Sequence, residues 1–117
     1  MDLNHLHLHV ADIPRAMAFY ERHFAFAPLW DDPDEGIQFI RNAEGFDLAL
    51  MADEHPGSMP DWWHFGFRLT TNGAVRQKYE ELGEAGVEIC EPLTEDDGLI
   101  SFRVLDPDGY KIEVYWE

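Results

Sequence analysis

The chain reads twice over itself. With a shift of 59 residues His5 falls on His64, and Tyr20-Glu21 falls on Tyr79-Glu80. Farther along, a shift of 64 residues sets Gly45 on Gly109 and "GFDLALM" on "GYKIEVY", a longer loop absorbing the difference. Each copy carries the same order of signals: a strand, a helix, then about three strands. Repetition of this kind constrains a fold more than any single motif, because it equates positions in two copies of one unit. Neither copy can bury both faces of a small sheet alone, so the two are expected to share one core.

Local patterning fills in the copies. Residues 3–10 alternate, with His5, His7 and His9 on one side and Leu6, Leu8 and Val10 on the other, as a strand of period two requires. Asp12 is a good N-cap and Pro14 suits a first helical turn, so a helix is predicted to about Phe24, with Met17, Tyr20 and Phe24 on its inner face. "APLWDDPDEG" reads as a loop or short strand; "IQFIRN" and "FDLALM" read as strands joined by a turn at "NAEG". The polar, proline-bearing "ADEHPGSMPD" reads as a linker. Beyond it, "WHFGFRL" is a strand, and "TNGAVRQKYEELGEAG" is a helix directing Val75, Tyr79 and Leu82 inward and stopping at Gly86. "VEICEPL", "LISFRVL" and "YKIEVYW" complete the second copy, with "DPDG" as a turn chosen for backbone reasons. The expected organisation is one domain over 1–117, with module one at about 1–52, the linker at about 53–62 and module two at about 63–117.

Charge excludes some partners. The 24 acidic residues outnumber the 8 basic ones, for a net charge of −16, which repels nucleic acid and anionic lipid. No apolar run approaches bilayer length and no basic-plus-apolar leader precedes the first strand, so a cytoplasmic location is expected. The single cysteine, Cys90, rules out an intrachain disulfide framework and a cysteine-based zinc cluster, and is expected to be a small buried hydrophobe.

The duplication gives the histidines their weight. His5 and His64 hold equivalent places on equivalent first strands, whereas Glu113, on the last strand of the second copy, is matched by Ala49 in the first. If the two sheets curl around a common pocket, positions 5, 49, 64 and 113 converge there. Two imidazoles and one carboxylate make a facial triad suited to Fe(II), Mn(II), Ni(II) or Zn(II), with coordination positions left open for water and a chelating substrate.

"NHLHLHVADIPRAMAFY" resembles the opening strand and helix of the vicinal oxygen chelate superfamily, and "FRVLDPDGYKIEVYWE" resembles its closing hairpin. That superfamily includes glyoxalase I, extradiol dioxygenases, fosfomycin-modifying enzymes and bleomycin-resistance proteins, and the likeness extends over essentially the whole chain. It implies an α+β fold of paired βαβββ modules forming a cupped mixed sheet, completed by dimerisation. It also implies one divalent metal ion held by His5, His64 and Glu113, and a small substrate chelated through vicinal oxygens. The implied reaction is that of a lyase, isomerase or dioxygenase. The alternative is a metal-free, bleomycin-resistance-like protein that sequesters a cationic antibiotic, which the acidic charge suits and the retained ligand set opposes.

One departure stands out. Glyoxalase I-like members supply a fourth ligand where this chain has Ala49, whose methyl group cannot coordinate; Asp47 lies two residues away, about 6–7 Å along the strand. The remaining set resembles that of the dioxygenases and fosfomycin enzymes. The dioxygenases are longer chains, however, and the acidic second half lacks the basic cluster a phosphonate needs. Around the triad, His7 reads as a catalytic proton shuttle or as a solvated neighbour, Arg68 as a substrate-orienting cation or a partner for acids, and Tyr115 as a hydrogen-bond donor. His9, His23 and His55 read as surface residues, and Trp62 and Trp63 as packing.

Overall fold

The computed structural model describes residues 1–117 as two compact units, Met1–Gly57 and Ser58–Glu117. In the first, β1 (His5–Val10), α1 (Ile13–Phe24), β2 (Ala27–Asp32), β3 (Ile37–Arg41) and β4 (Asp47–Ala52) follow in order. The second repeats this with β5 (Phe65–Arg68), α2 (Asn72–Glu84), β6 (Ile89–Asp96), β7 (Leu99–Leu105) and β8 (Lys111–Trp116). Each unit holds a four-stranded mixed sheet, of order β1-β4-β3-β2 and β5-β8-β7-β6, whose first and last strands run parallel while the other pairs are antiparallel. This is the expected βαβββ pattern, made twice. "APLWDD", readable as either loop or strand, is an edge strand, with a register shift between Pro28 and Trp30.

The duplication holds to the residue. His7 pairs with Ala49 in the β1–β4 ladder and Gly66 with Glu113 in the β5–β8 ladder; Phe39 pairs with Ala49 as Arg103 pairs with Glu113. The hairpin turns share their closing bonds. Asn42 Oδ1 accepts from the Phe46 amide at 2.8 Å, and Asp106 Oδ1 accepts from the Tyr110 amide at 2.9 Å. Gly45 and Gly109 close these turns at φ of 85° and 88°, where a β-carbon would be strained.

One face of each sheet is covered by its helix. In the first unit Leu8, Val10, Ile40, Leu48 and Leu50 are buried on that face, with Ala16 and Tyr20 of α1 over them. Ala16 and Tyr20 therefore form the helix seam, and Met17 and Phe24, expected inside, are only half-buried. In the second unit Ile100, Phe102, Val104, Ile112 and Val114 receive Val75 and Leu82 of α2, and Tyr79 meets Phe102 edge-on at 5.0 Å. The helix ends follow from local chemistry. Asp12 Oδ1 accepts from the Arg15 amide at 3.0 Å, and Thr71 Oγ1 accepts from the Ala74 amide at 3.0 Å. After α2, Gly86 takes φ of 80° and the Val87 amide reaches back to the Leu82 carbonyl at 3.0 Å.

Three expectations need correction. The first strand begins at His5, not at residue 3. Cys90 sits on an edge strand and is half-buried, though desolvation still raises its thiol pKa. Trp63 packs against Phe65 and Tyr110, with ring centroids at 5.9 and 6.0 Å, but Trp62 is 73% exposed and packs on nothing comparable. No helix is long and apolar enough to cross a membrane.

Candidate metal-binding face

With α2 covering one side, alternation presents the other side chains of the second sheet on an open face. His64, Gly66 and Arg68 stand at every second position along β5 and its lead-in, beside Glu113 and Tyr115 of β8. Two of the three residues expected as ligands meet here. His64 Nε2 lies 3.3 Å from Glu113 Oε2, both side chains part-covered, while His64 Nδ1 lies 3.0 Å from the Trp62 carbonyl oxygen.

The tautomer follows from those contacts. A carbonyl only accepts, so Nδ1 carries a proton and Nε2 faces a carboxylate oxygen. A ring nitrogen and a carboxylate oxygen at this distance are joined either by a second ring proton, as an ion pair, or by a metal ion. The outer hydrogen bond to a backbone carbonyl is the arrangement that orients metal-ligating imidazoles. The pair thus offers a divalent cation two donors, one nitrogen and one oxygen.

His5 lies on β1 in the first unit, on the open face of that sheet. Its Nδ1 is 2.9 Å from Asn4 Oδ1, and its register partner is Asp47. Asp47 is engaged elsewhere: Arg41 grips it through Nε at 2.6 Å and Nη2 at 3.0 Å. That guanidinium holds the Asp47 carboxyl below the usual carboxylate range, against the opposing effect of burial. Asp47 is thus tied to an arginine. His7 stands opposite Ala49, its ring 5.3 Å from that of His9. His9 is half-buried and pairs with Asp53 at 2.9 Å, a fuller structural role than a surface histidine implies. Within neither unit do three His, Cys, Asp or Glu side chains gather tightly enough to hold a metal by themselves.

The supporting residues differ in their engagement. Arg68 donates through Nη2 to the Glu117 carbonyl at 2.6 Å, so its partner is backbone rather than an acidic side chain. Tyr115 leans over Gly66, where a built β-carbon would lie 3.5 Å from Tyr115 Cε1 and 3.3 Å from the Glu113 carbonyl oxygen. Sequence reasoning missed both Gly66 and Arg103 as members of this face. The signal for Arg103 was present, because the 106–109 turn fixes a hairpin register that sets residue 103 opposite 113.

Comparisons with known proteins agree with this architecture. Residues 2–114 match the family model described as Glyoxalase/Bleomycin resistance protein/Dioxygenase superfamily. The uncharacterised protein PA2024 of Pseudomonas aeruginosa is 32% identical over 119 residues, covering 95% of this chain and 85% of its own. Among solved structures, a possible glyoxalase from Bacillus cereus is 29% identical, with 97% of each chain covered and a TM-score of 0.82. The fosfomycin resistance protein FosX from Listeria monocytogenes superimposes with a TM-score of 0.86 at 21% identity, over 100% of this chain and 93% of its own. At that identity the likeness is one of fold.

Proposed function

We propose that this chain, which belongs to the Glyoxalase/Bleomycin resistance protein/Dioxygenase superfamily, is a divalent-metal-dependent enzyme acting on a small molecule chelated through adjacent oxygens. The observation that carries the reading is the His64–Glu113 pair, an imidazole nitrogen and a carboxylate oxygen facing each other at 3.3 Å with the imidazole oriented from behind. His5 is the third ligand in this reading, and a homodimer is the assembly in which it works.

A bound divalent ion supplies Lewis-acid stabilisation of oxyanion character, as in a developing enolate or alkoxide. The protein's own groups do the rest. The Trp62 carbonyl fixes the His64 tautomer, and Glu113 brings the negative charge that draws a cation to the face. Tyr115 offers a phenolic donor beside Glu113, its ring held over the space that Gly66 leaves free. On the first sheet, His7 is the side chain this reading assigns to proton transfer. Its register partner Ala49 leaves the ring without a carboxylate opposite, and this favours a proton-transfer role over a structural ion pair.

Metal analysis of untagged protein, purified without chelators beside His64→Ala, tests the reading. The expected result is about one divalent ion per chain, lost in the variant. Protein that takes up no Fe(II), Mn(II), Ni(II) or Zn(II) on addition overturns it.

A further inference from the structure

We propose that Arg103 forms a subsite for a carboxylate carried by the substrate, apart from the oxygens that chelate the metal. The starting observation is the placement of a few basic side chains in an acidic unit. Residues 58–117 hold five basic side chains against thirteen acidic ones. Three of them, Arg68, Arg103 and Lys111, fall on the open face of the second sheet, the face of Glu113.

Their commitments separate them. Lys111 Nζ is paired with Asp61 at 2.9 Å, and Arg68 donates to the Glu117 carbonyl. Arg103 uses a single hydrogen bond, from Nη1 to Glu91 Oε1 at 3.2 Å, although its side chain is only 23% exposed. A guanidinium has five N–H donors in a planar fork. The others have no acceptor in the protein, and the one bond runs to a glutamate whose side chain is 53% exposed, a pairing of small worth that a ligand can replace.

Position gives the unused donors their meaning. Arg103 is the direct register partner of Glu113 on the neighbouring strand, so its β-carbon lies about 5 Å from that of the ligating glutamate. Yet its side chain turns to Glu91, while Glu113 turns the other way to His64. A substrate chelated beside His64 and Glu113 would thus have a free guanidinium fork one strand away, matched to a carboxylate by shape and charge. The counterpart of Arg103 in the first unit is Phe39, stacked on Trp30 with centroids 4.3 Å apart, so the fold does not require a cation here. The class of ligand that fits is a small organic acid whose carboxylate stands a few bonds from a pair of vicinal oxygens.

The chelating half of this inference rests on the function proposed above, and the experiment separates the two. Malate and its distal monoamide share the same hydroxyl and adjacent carboxylate and differ only in the group that would reach Arg103. Their binding is measured by calorimetry on wild type, Arg103→Gln and Glu91→Gln, with metal content read in parallel. The expected result is malate binding at least about tenfold tighter than the monoamide in wild type. That preference falls to near unity in Arg103→Gln at unchanged metal content, and is kept or increased in Glu91→Gln. Equal binding of the two ligands in wild type, binding of neither, or a preference that survives Arg103→Gln overturns the subsite. If the protein takes up no metal, the metal reading fails by itself. The same comparison on the metal-free protein then decides Arg103, a lost preference overturning it and an Arg103-dependent preference upholding it.

Discussion

Gly66 stands directly opposite Glu113 in the parallel β5–β8 ladder, close enough that a β-carbon there would lie 3.3 Å from the Glu113 carbonyl oxygen and 3.4 Å from its Cβ. The absent side chain keeps open the strip between His64 and Arg68 over which the Tyr115 ring lies. Gly66→Val is therefore expected to displace Tyr115 and the Glu113 side chain, lowering metal affinity by about tenfold or more and stability by about 1–3 kcal/mol. Gly66→Ala, needing shifts of only tenths of an ångström, should cost much less. Metal titration and urea midpoints of the two variants check this; wild-type metal affinity in Gly66→Val would show that the strip plays no part.

Ala49 occupies in the first sheet the place Glu113 holds in the second, and it is 2% exposed. Ala49→Glu would bring a carboxylate toward His5 much as Glu113 approaches His64. Without metal, placing that group at a covered position is expected to destabilise the protein by about 1–3 kcal/mol. Added Ni(II) or Zn(II) should recover part of the loss, because a ligand that binds only the folded state stabilises it. Thermal melts with and without metal read both effects. A variant as stable as wild type, or one indifferent to metal, would contradict the equivalence of the two positions.

The sequence made the architecture legible because duplication is a global signal: alternation at Leu8/Val10 or Ile112/Val114 says strand, and the second copy says it again. Registers were legible too, since the Asn42–Gly45 and Asp106–Gly109 turns determine which residues face each other. Side-chain engagement was not. Whether Asp47 is free or gripped by Arg41, and whether Arg103 turns to Glu91 or Glu113, depends on rotamers, to which periodicity is blind. Trp62 was misread for a related reason. Aromatic character marks a residue that gains by burial, but not whether anything within reach buries it.

The turn after β7 hangs on Asp106, which is 5% exposed and whose Oδ1 accepts from the amides of Asp108 and Tyr110, both at 2.9 Å. Asp106→Ala leaves those amides without their side-chain acceptor and is expected to cost about 1–3 kcal/mol, visible as a lower urea midpoint. Asp106→Asn should cost clearly less, because the first unit already turns the same corner with Asn42. Equal losses in the two variants would mean that charge, rather than an acceptor oxygen, sets the turn.

The Arg41–Asp47 fork gives stability a pH signature of known sign. Arg41 holds the Asp47 carboxyl below its ordinary 3.8, chiefly by hydrogen bonding, so the folded state binds this proton less readily than the unfolded chain. Its stabilising contribution is fully present above the unfolded value and fades as pH falls through the depressed folded one. Asp47→Asn should therefore be less stable than wild type near neutral pH, with the gap closing on acidification. Near neutral pH the gap should also shrink at high salt, since the Arg41 side chain is 47% exposed. Urea midpoints of both proteins at about pH 7, pH 5 and pH 3 resolve the trend. A gap that stays constant down to the lowest pH would assign the loss to altered packing at position 47 instead of to the ion pair. That result would return Asp47 to consideration as a carboxylate available to His5, its register partner on β1.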